Sequence, residues 1–264
     1  MASDFVANVQ GLGTAFEKPV LSSVVSVMYR SALRKAKTVF FENEENAQFF
    51  LNKKIIFHRQ VRVLPGAGIN LDEYPCVPTG DDGVCSFLFV GRIMKGKGVD
   101  EFFSAARTLK AEFGEKVAFD VVGFYEDAYK EQVDQLVADG IVRFHGFQTD
   151  VHPFYEAADC VVLPSYHEGM SNVLLEGAAT GRALITSDIP GCREAVEDGV
   201  SGYLCPAQDA EGLTRAMRDF AQQSFDRQVQ MGQSGRALAE RKFDKQLVVA
   251  KTLDGLGLPA AVRN

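Results

Sequence analysis

Two glutamates, Glu168 and Glu176, lie eight positions apart in the run HEGMSNVLLEGAATG, directly after an apolar strand pattern at 160–164. Ser171 is a natural N-cap for a helix that begins at Asn172. Free N–H groups at a helix start attract anions, whereas carboxylates accept hydrogen bonds from hydroxyl groups. The segment therefore predicts a site for a ligand that carries both phosphates and hydroxyls. The alternative is a surface helix and an exposed turn that each happen to carry an acid.

A second candidate element is the loop FVGRIMKGKG. Its pattern Gly91-x4-Gly96-Lys97 matches a phosphate loop, but Gly98 replaces the Ser or Thr that a nucleoside triphosphatase needs for magnesium. That substitution disfavours a phosphate-loop ATPase. Arg92 and Lys97 still follow a strand, and the glycines beside them let the backbone approach a ligand. The loop predicts phosphate binding, and a surface turn with two solvated cations is the alternative.

A third candidate is the run RFHGF at 143–147, where Gly146 lies at a strand end between aromatic residues. Its backbone could hydrogen-bond the edge of a nucleobase. Core aromatics at the end of a strand are the simpler interpretation of the same run.

Several chemistries lose support because their residues are missing. The chain has no Asp-x-Asp pair, no GxGxxG and no Gly-x-Ser-x-Gly. A metal-dependent Asp-x-Asp sugar transferase, a hydride-transfer enzyme and a serine hydrolase are therefore disfavoured. The four histidines and five cysteines show no metal-ligand spacing, so we expect neither a metal site nor a cofactor.

The elements that must position these residues follow a regular rhythm after residue 85. Apolar strand patterns alternate with amphipathic helix patterns, which is typical of a parallel sheet covered on both faces. We predict strands at 86–92, 116–123, 141–146, 160–164, 183–188 and 202–205, and helices at 99–113, 126–138, 151–158, 172–180 and 209–242. Ligands of such Rossmann-like α/β sheets bind beyond the carboxyl ends of the strands. The loops that matter are those after Val90, Val122, Phe144 and Leu163.

The first quarter of the chain predicts a smaller α/β unit. Strands are expected at 5–9, 37–43 and 61–69, and helices at 20–36 and 45–52. The resulting division is a first part at 1–70, a Pro-, Gly- and Asp-rich linker at 71–84, a ligand-binding domain at 85–242 and a closing segment at 243–264. A helix at 244–256 in the closing segment is expected to pack back on the first part.

Composition places the chain among ordinary globular proteins of 264 residues, with 46% hydrophobic residues and a net charge of −7. The acidic balance argues against nucleic acid as a partner. Residues 1–65 nevertheless hold nine Lys/Arg and five Asp/Glu, against 19 and 30 in the remainder. This basic first part could contact an anionic lipid surface, although solvated helix faces explain it more simply. With no signal peptide or spanning segment visible, we expect a cytoplasmic protein, and a location peripheral to the inner face of the membrane is the further option.

Three segments together resemble the donor half of the retaining GT-B glycosyltransferases of family 4. They are FVGRIMKGKGVDEF, FHGF and PSYHEGMSNVLLEGAATGRALITSDIPGCREAVEDGVSGYL. The Glu-x7-Glu signature falls on Glu168 and Glu176, with Arg92 and Lys97 upstream, and the likeness covers about residues 62–223. The opening runs GLGTAFEK, VFFENEENAQFF and VLPGAGIN resemble the later part of the first domain in bacterial capsule or exopolysaccharide members.

The resemblance implies a role for each site residue. Arg92 and Lys97 would neutralise the donor diphosphate, Glu176 would hold the ribose hydroxyls, and Glu168 would bind the sugar near the reacting carbon. Contacts to sugar and phosphate would also come from the backbone N–H groups of Gly169, Met170 and Ser171.

The function implied by the resemblance is transfer of a sugar, with retention and without a metal, from a nucleotide diphosphate (UDP) to a saccharide or lipid-linked acceptor. The acceptor-side residues of a full first domain have no counterpart here. The alternative is a non-catalytic half that binds the nucleotide sugar and needs a complementary chain. Self-association through the short first part would serve the same purpose.

Overall fold

Two separate parallel sheets organise the chain. The computed structural model describes residues 5–12, 16 and 18–259. Its strands are β1 (Phe5–Val9), β2 (Ala36–Phe41), β3 (Val61–Val63), β4 (Cys85–Val90), β5 (Val117–Val122), β6 (Arg143–Phe144), β7 (Cys160–Leu163), β8 (Ala183–Ser187) and β9 (Gly202–Cys205). The first sheet has the order β1-β2-β3 and the second the order β6-β5-β4-β7-β8-β9. All neighbouring strands are parallel, which confirms the predicted α/β class.

Helices connect the strands and close the chain. They are α1 (Pro19–Leu33), α2 (Glu44–Asn52), α3 (Val99–Phe113), α4 (Lys130–Ala138), α5 (His152–Ala157), α6 (Asn172–Ala179), α7 (Ala210–Ala221), α8 (Phe225–Lys242) and α9 (Lys245–Leu256). Parallel strands require such crossovers, because the chain must return to the same edge of the sheet before the next strand begins.

The second sheet contains the larger core. Every residue of β7 and β8 is buried, as expected for central strands covered by helices on both faces. The stacked rings of Phe87 and Phe119, with centroids 5.5 Å apart, pack β4 against β5. Each fully buried ring of this kind contributes about 1.5–3 kcal/mol. This core fixes the strand ends that carry the candidate site.

The first sheet has a smaller core built around Phe50 of α2. Its ring makes edge contacts with Phe41 and Tyr29, with centroids 5.1 Å away in both cases. The closing helix α9 lies against the same sheet, since the Thr38 hydroxyl donates to the Gly255 carbonyl at 3.3 Å. A Cβ added at Gly255 would come within 3.0 Å of the Phe40 ring, so this contact is close.

Several predicted elements differ from the observed ones; the helix predicted at 126–138, for example, begins only at Lys130. The run at 209–242 is two helices, because the Ser224 side chain accepts from the Arg227 N–H and starts a new helix. The strand predicted at 61–69 pairs only over Val61–Val63, because Gly66 and Gly68 turn the chain with positive φ. The strand predicted at 141–146 shortens to β6. The helix predicted at 20–36 ends at Leu33, because Ala36 already begins β2.

The linker at 71–84 is held on the second sheet's helices. Arg236 of α8 donates to the Tyr74 carbonyl at 2.8 Å, and the buried Arg182 donates to the Val77 carbonyl. Tyr74 itself is buried. The linker therefore holds the Tyr74 side chain close to α6.

Candidate functional site

The candidate site lies where the order of the second sheet reverses. The strand β4 pairs with β5 on one side and with β7 on the other. The loops that follow β4 and β7 therefore leave the same edge of the sheet and diverge to opposite faces. Such a switch point forms the crevice in which doubly wound sheets bind ligands.

The cationic and acidic loops meet at this switch point. Lys97 Nζ lies 2.6 Å from Glu168 Oε1, and both side chains are partly buried. The backbone also joins the loops, since the Tyr166 N–H donates to the Gly96 carbonyl at 3.0 Å. The two segments predicted to share one ligand are thus adjacent, rather than on opposite sides of the sheet.

Glycines are required where the first loop passes close to other backbone. Gly98 has φ +68°, and a Cβ there would lie 2.0 Å from the Pro164 carbonyl oxygen. No hydroxyl side chain fits at that position, which removes the magnesium ligand of a phosphate loop. The Gly91 backbone also passes close to Gly123. A Cβ at Gly123 would lie 1.9 Å from the Gly91 carbonyl oxygen.

Arg92 differs from Lys97 in its surroundings. It is exposed, and within residues 5–12, 16 and 18–259 no ion pair or side-chain hydrogen bond holds its guanidinium. Lys97, by contrast, forms an ion pair with Glu168. Of the two cations predicted to bind phosphate, Arg92 can therefore meet an incoming anion directly, whereas Lys97 must first leave a carboxylate.

Helix α6 begins at the switch point with Ser171 as its N-cap. The Ser171 hydroxyl accepts from the Leu174 N–H at 3.4 Å. Among the hydrogen bonds of the described residues, the backbone N–H groups of Asn172 and Val173 have no acceptor. Gly177 brings the helix onto β7, since a Cβ there would lie 2.8 Å from Val161 Cγ2. The sheet therefore fixes a helix start with free donors beside Lys97 and Glu168.

The backbone of the loop between Glu168 and α6 already has protein partners. The Ser171 N–H donates to the Gly191 carbonyl at 3.0 Å, and the Met170 N–H lies close enough to the Glu42 carboxyl to lower its pKa. The Gly169 carbonyl accepts from Asn43 Nδ2 at 3.2 Å. The N–H groups of Met170 and Ser171, expected to face sugar and phosphate, thus hold the loop in place in this structure.

Glu42 is a site residue that the sequence analysis missed. It follows β2 directly, and burial raises the pKa of its carboxyl, while the Met170 N–H opposes that rise. A Cβ on Gly169 would lie 2.5 Å from Glu42 Oε2 and 1.9 Å from the Gln10 carbonyl oxygen. The carboxyl ends of the two sheets therefore face each other. An acid directly after an apolar strand, in the run VFFEN, was the available signal.

Glu176 lies in a different environment from Glu168. The Tyr155 hydroxyl donates to Glu176 Oε2 at 2.7 Å, and the Tyr74 hydroxyl lies close enough to lower the pKa of the same carboxyl. Burial raises the pKa of Glu176, and both tyrosine hydrogen bonds oppose the rise. Burial, together with the negative charge of Glu176, raises the pKa of Tyr74 to about 12. Two neutral donors therefore orient a carboxylate that is partly withdrawn from water.

The run at 143–147 is divided between core and surface. Phe144 packs against the core, whereas Phe147 is 67% exposed and lies 6.4 Å from the exposed ring of Phe124. Gly146 has φ +67°, and its carbonyl accepts from the Gly123 N–H at 2.8 Å. The loops after β5 and β6 thus present an open backbone between two exposed rings, beside the same edge of the sheet.

In the described part of the chain, no group of three or more His, Cys, Asp or Glu side chains is arranged to hold a metal ion. None of the helices in those residues has the length and apolar character needed to cross a bilayer.

Comparison with known proteins places these features in a family. The N,N'-diacetylbacillosaminyl-diphospho-undecaprenol alpha-1,3-N-acetylgalactosaminyltransferase of Campylobacter jejuni is 28% identical over 225 residues, covering 79% of this chain and 58% of that protein. The glycogen synthase of Mycobacterium tuberculosis is 31% identical over 173 residues, covering 64% and 42%. The chain thus spans about half the length of these relatives.

Solved structures share the fold at lower identity. Anabaena Alr3699/HepE in complex with UDP and glucose superposes with a TM-score of 0.80 at 17% identity, covering 96% of this chain and 71% of that one. Sucrose-phosphate synthase from Thermosynechococcus elongatus gives 0.78 at 22% identity, covering 97% and 67%. These neighbours are GT-B glycosyltransferases, so the two facing sheets are those of a GT-B fold.

The second sheet carries the family match itself. Residues 85–223, more than half of the chain, match the family described as "Glycosyl transferases group 1". The matched range contains the switch point, both cations and both glutamates. The chain therefore belongs to the group 1 glycosyl transferases.

Proposed function

We propose that this chain binds a nucleotide-diphosphate sugar, with UDP as the nucleotide, at the switch point between β4 and β7. The whole activity that we propose is that of a retaining, metal-independent glycosyltransferase of family 4. The observation that carries the proposal is the contact between Lys97 and Glu168, because it joins a cationic loop to an acidic one beside a helix start with free N–H donors. A nucleotide sugar has the matching groups, a diphosphate flanked by two sets of hydroxyls.

The ion pair suggests how the site responds to its ligand. When a diphosphate arrives, Lys97 can exchange the Glu168 carboxylate for phosphate oxygens, and Arg92 can add two donors to them. Glu168 is then released to accept hydrogen bonds from sugar hydroxyls. The same two side chains thus change partners together, so each charged group keeps hydrogen-bond partners in the partly buried site.

Catalysis would rest on stabilising the leaving group. As the bond between the anomeric carbon and the diphosphate oxygen breaks, negative charge collects on the diphosphate. Arg92, Lys97 and the first N–H groups of α6 are fixed donors for that charge, and fixed donors of this kind supply the largest catalytic contribution in many enzymes. In the retaining mechanism that we propose, the acceptor hydroxyl attacks on the face from which the phosphate departs. Its proton leaves with the diphosphate.

The nucleoside would extend from the diphosphate toward β5 and β6. Glu176, oriented by Tyr155 and Tyr74, would accept from the ribose hydroxyls. The open backbone at Gly146 would meet the base edge. The Anabaena structure that contains UDP and glucose has the same fold, which supports a UDP-sugar as the donor.

The acceptor that we propose is a saccharide or a lipid-linked sugar. The name of the Campylobacter jejuni relative includes a diphospho-undecaprenol-linked sugar, which supports the lipid-linked choice. The first sheet, whose strand ends face Glu168 through Glu42 and Asn43, would form the acceptor side of the crevice.

Calorimetric titration of UDP tests the donor site. We expect Arg92→Ala and Glu176→Ala each to weaken UDP binding at least tenfold, since each removes a charged partner of the ligand. Arg107→Ala is the matched control, because Arg107 is an exposed cation paired with Asp139 on the outer side of α3. Unchanged affinity in both site variants would mean that the nucleotide binds elsewhere.

A second candidate function is binding without turnover, in which this chain holds the donor and a complementary chain supplies the acceptor. Release of UDP from UDP-sugars separates the two candidates. Steady release by this chain alone, abolished by Lys97→Ala, would exclude the binding-only function.

A further inference from the structure

The linker between the two sheets reaches the candidate site through Tyr74. One guanidinium nitrogen of Arg236 donates both to the Tyr74 carbonyl at 2.8 Å and to the Ala179 carbonyl at 2.6 Å. Ala179 is the last residue of α6, the helix that carries Glu176. The buried Tyr74 ring is therefore held at a fixed place relative to that carboxylate.

Two aromatic side chains of α5 pack against the Tyr74 ring. His152 stacks on it with ring centroids 4.4 Å apart and an interplanar angle of 27°, and Tyr155 meets it edge to face at 6.2 Å. The Tyr155 hydroxyl donates to Glu176, and the Tyr74 hydroxyl lies close enough to lower the pKa of the same carboxyl. His152 is thus packed against one of the two rings that orient Glu176.

The surroundings of His152 favour its protonated form. Asp150 Oδ1 lies 2.7 Å from His152 Nδ1 and also accepts from the His152 backbone N–H at 3.1 Å. Hydrogen bonding to Asp150 raises the pKa of His152, burial opposes the rise, and the Glu73 backbone and carboxylate add to it. An imidazole can donate from both ring nitrogens only when it carries the second proton, so acceptors on two sides favour the cation.

A cation at this place acts on Glu176. The positive charge of His152 lowers the pKa of the Glu176 carboxyl, so protonation of the ring favours the carboxylate that would accept from ribose hydroxyls. The same charge attracts an anionic nucleotide. The other titratable groups that face His152 or Glu176 come from the linker, from α5 and from the loop before it, and they are Glu73, Tyr74, Tyr155 and Asp150.

We propose that His152 is a positioning residue for Glu176, that it acts through the Tyr74 ring, and that it strengthens UDP binding when it is protonated. The inference rests on the proposed function, because it takes Glu176 as the acceptor of the ribose hydroxyls. UDP affinity is then lost in acid as Glu176 is protonated, and it falls again as pH rises through the pKa of His152. The alternative is a histidine that only fills space beside Tyr74.

Calorimetric titration of UDP between about pH 5 and 9 tests the proposal with the variant His152→Phe. Phenylalanine keeps a ring against Tyr74 but carries no proton. The readout is the ratio of the UDP affinities of the unaltered chain and the variant, because the ionisation of UDP itself is common to both. We expect a ratio of roughly three or more while His152 is protonated, falling toward one at higher pH.

A second variant and a control sharpen this measurement. Asp150→Asn keeps the imidazole but removes the charge that holds its proton, so the fall in UDP affinity should move to lower pH. His58→Phe is the matched control, because His58 is exposed in the short turn between α2 and β3. It should reproduce the pH profile of the unaltered chain.

Nuclear magnetic resonance of the histidine ring protons tests the same pair without a variant of His152. Saturating UDP should raise the pKa of His152 by about half a unit, since a threefold effect of the proton on UDP binding requires the same effect of UDP on the proton. In the chain without nucleotide, Glu176→Gln should lower the pKa of His152, because it removes a nearby negative charge.

The outcomes separate this inference from the proposed function. An affinity ratio that stays constant with pH, in a chain that binds UDP, overturns the role of His152 and leaves the donor site intact. If the unaltered chain does not bind UDP, the proposed function fails. An unchanged pKa of His152 in Glu176→Gln overturns the coupling between the two residues in either case.

Discussion

The two sheets of this chain differ in how completely their strands are buried. The second sheet has six strands, and its central strands β7 and β8 are completely buried. The first has three strands, and four of the five residues of β1 are at least partly exposed. Within the described residues, the first sheet therefore buries less of its surface than the second.

The contacts between the sheets fall at the candidate site. Gln10, Glu42 and Asn43 reach the loop at Gly169, and Glu45 pairs with Arg193. The second sheet with its helices, here called the large unit, thus supplies rigid strand ends. The first sheet with its helices, the small unit, fixes one of the loops that follow those strand ends. The following changes test whether the two units are as unequal as this comparison suggests.

The largest expected effect comes from removing one ring in each core. Phe50→Ala and Phe119→Ala should each cost about 3–5 kcal/mol, through lost transfer energy and a cavity. In the small unit that loss should unfold residues 5–63 alone, whereas Phe119→Ala should lower the stability of the second region. Hydrogen exchange by mass spectrometry distinguishes the two outcomes. If Phe50→Ala raises exchange uniformly along the chain, the sheets form one cooperative unit and the comparison fails.

A smaller effect is expected at Asn43, which serves both units. Its side chain caps α2 by accepting from the Asn46 N–H at 2.8 Å and donates to the Gly169 carbonyl at 3.2 Å. Asn43→Ala should cost about 1–2 kcal/mol. Asn43→Ser restores the cap but is too short to reach Gly169, so it should recover only part of the loss. Thermal unfolding measures both, and full recovery by Ser would mean that the contact between the units adds nothing.

Within the large unit, Tyr155→Phe should weaken UDP binding about three- to tenfold by removing one donor to Glu176. The Tyr155 hydrogen bond lowers the pKa of Glu176, so its loss should move the acidic fall in UDP affinity to higher pH. The other groups that face this carboxylate are Tyr74, His152 and Glu73. Titrations between about pH 5 and 8 test this shift.

Tyr203→Phe is the matched control for that series, since its hydroxyl accepts from Gln223 and touches no carboxylate. We expect it to leave both the UDP affinity and its pH dependence unchanged. If Tyr155→Phe loses about three- to tenfold in UDP affinity but the pH at which the affinity falls does not change, Tyr155 has only a packing role.

The smallest expected effect concerns the contribution of Glu176 to the folding stability of the chain. Burial raises the pKa of its carboxyl in the folded chain, so its contribution to stability is full below the unfolded pKa and is lost as pH rises through the folded pKa. Glu176→Gln should therefore raise Tm by about 2 °C near neutral pH while weakening UDP binding. The gain should shrink in acid. The exposed Glu131→Gln should change neither quantity, and a lower Tm for Glu176→Gln at neutral pH would contradict the burial argument.

Most strands and helices of the second sheet could be predicted from the sequence alone. Apolar runs of four to six residues, alternating with helical periodicity, fixed the order of strands and helices, because each period reflects which faces of an element are covered. The helix from Val99 to Phe113 was predicted with its observed bounds, since Gly98 and Gly114 flank it. The phosphate and carboxylate loops were also visible as residues, because strand ends, glycines and charges are local features.

Tertiary structure alone decided which of those loops meet. Lys97 and Glu168 are 71 positions apart, and they touch only because β7 pairs with β4 rather than with the preceding strand β6. Glu42 enters the site for the same reason, as the carboxyl ends of two sheets face each other. Local patterns specify elements, whereas long-range strand pairing and packing choose their neighbours.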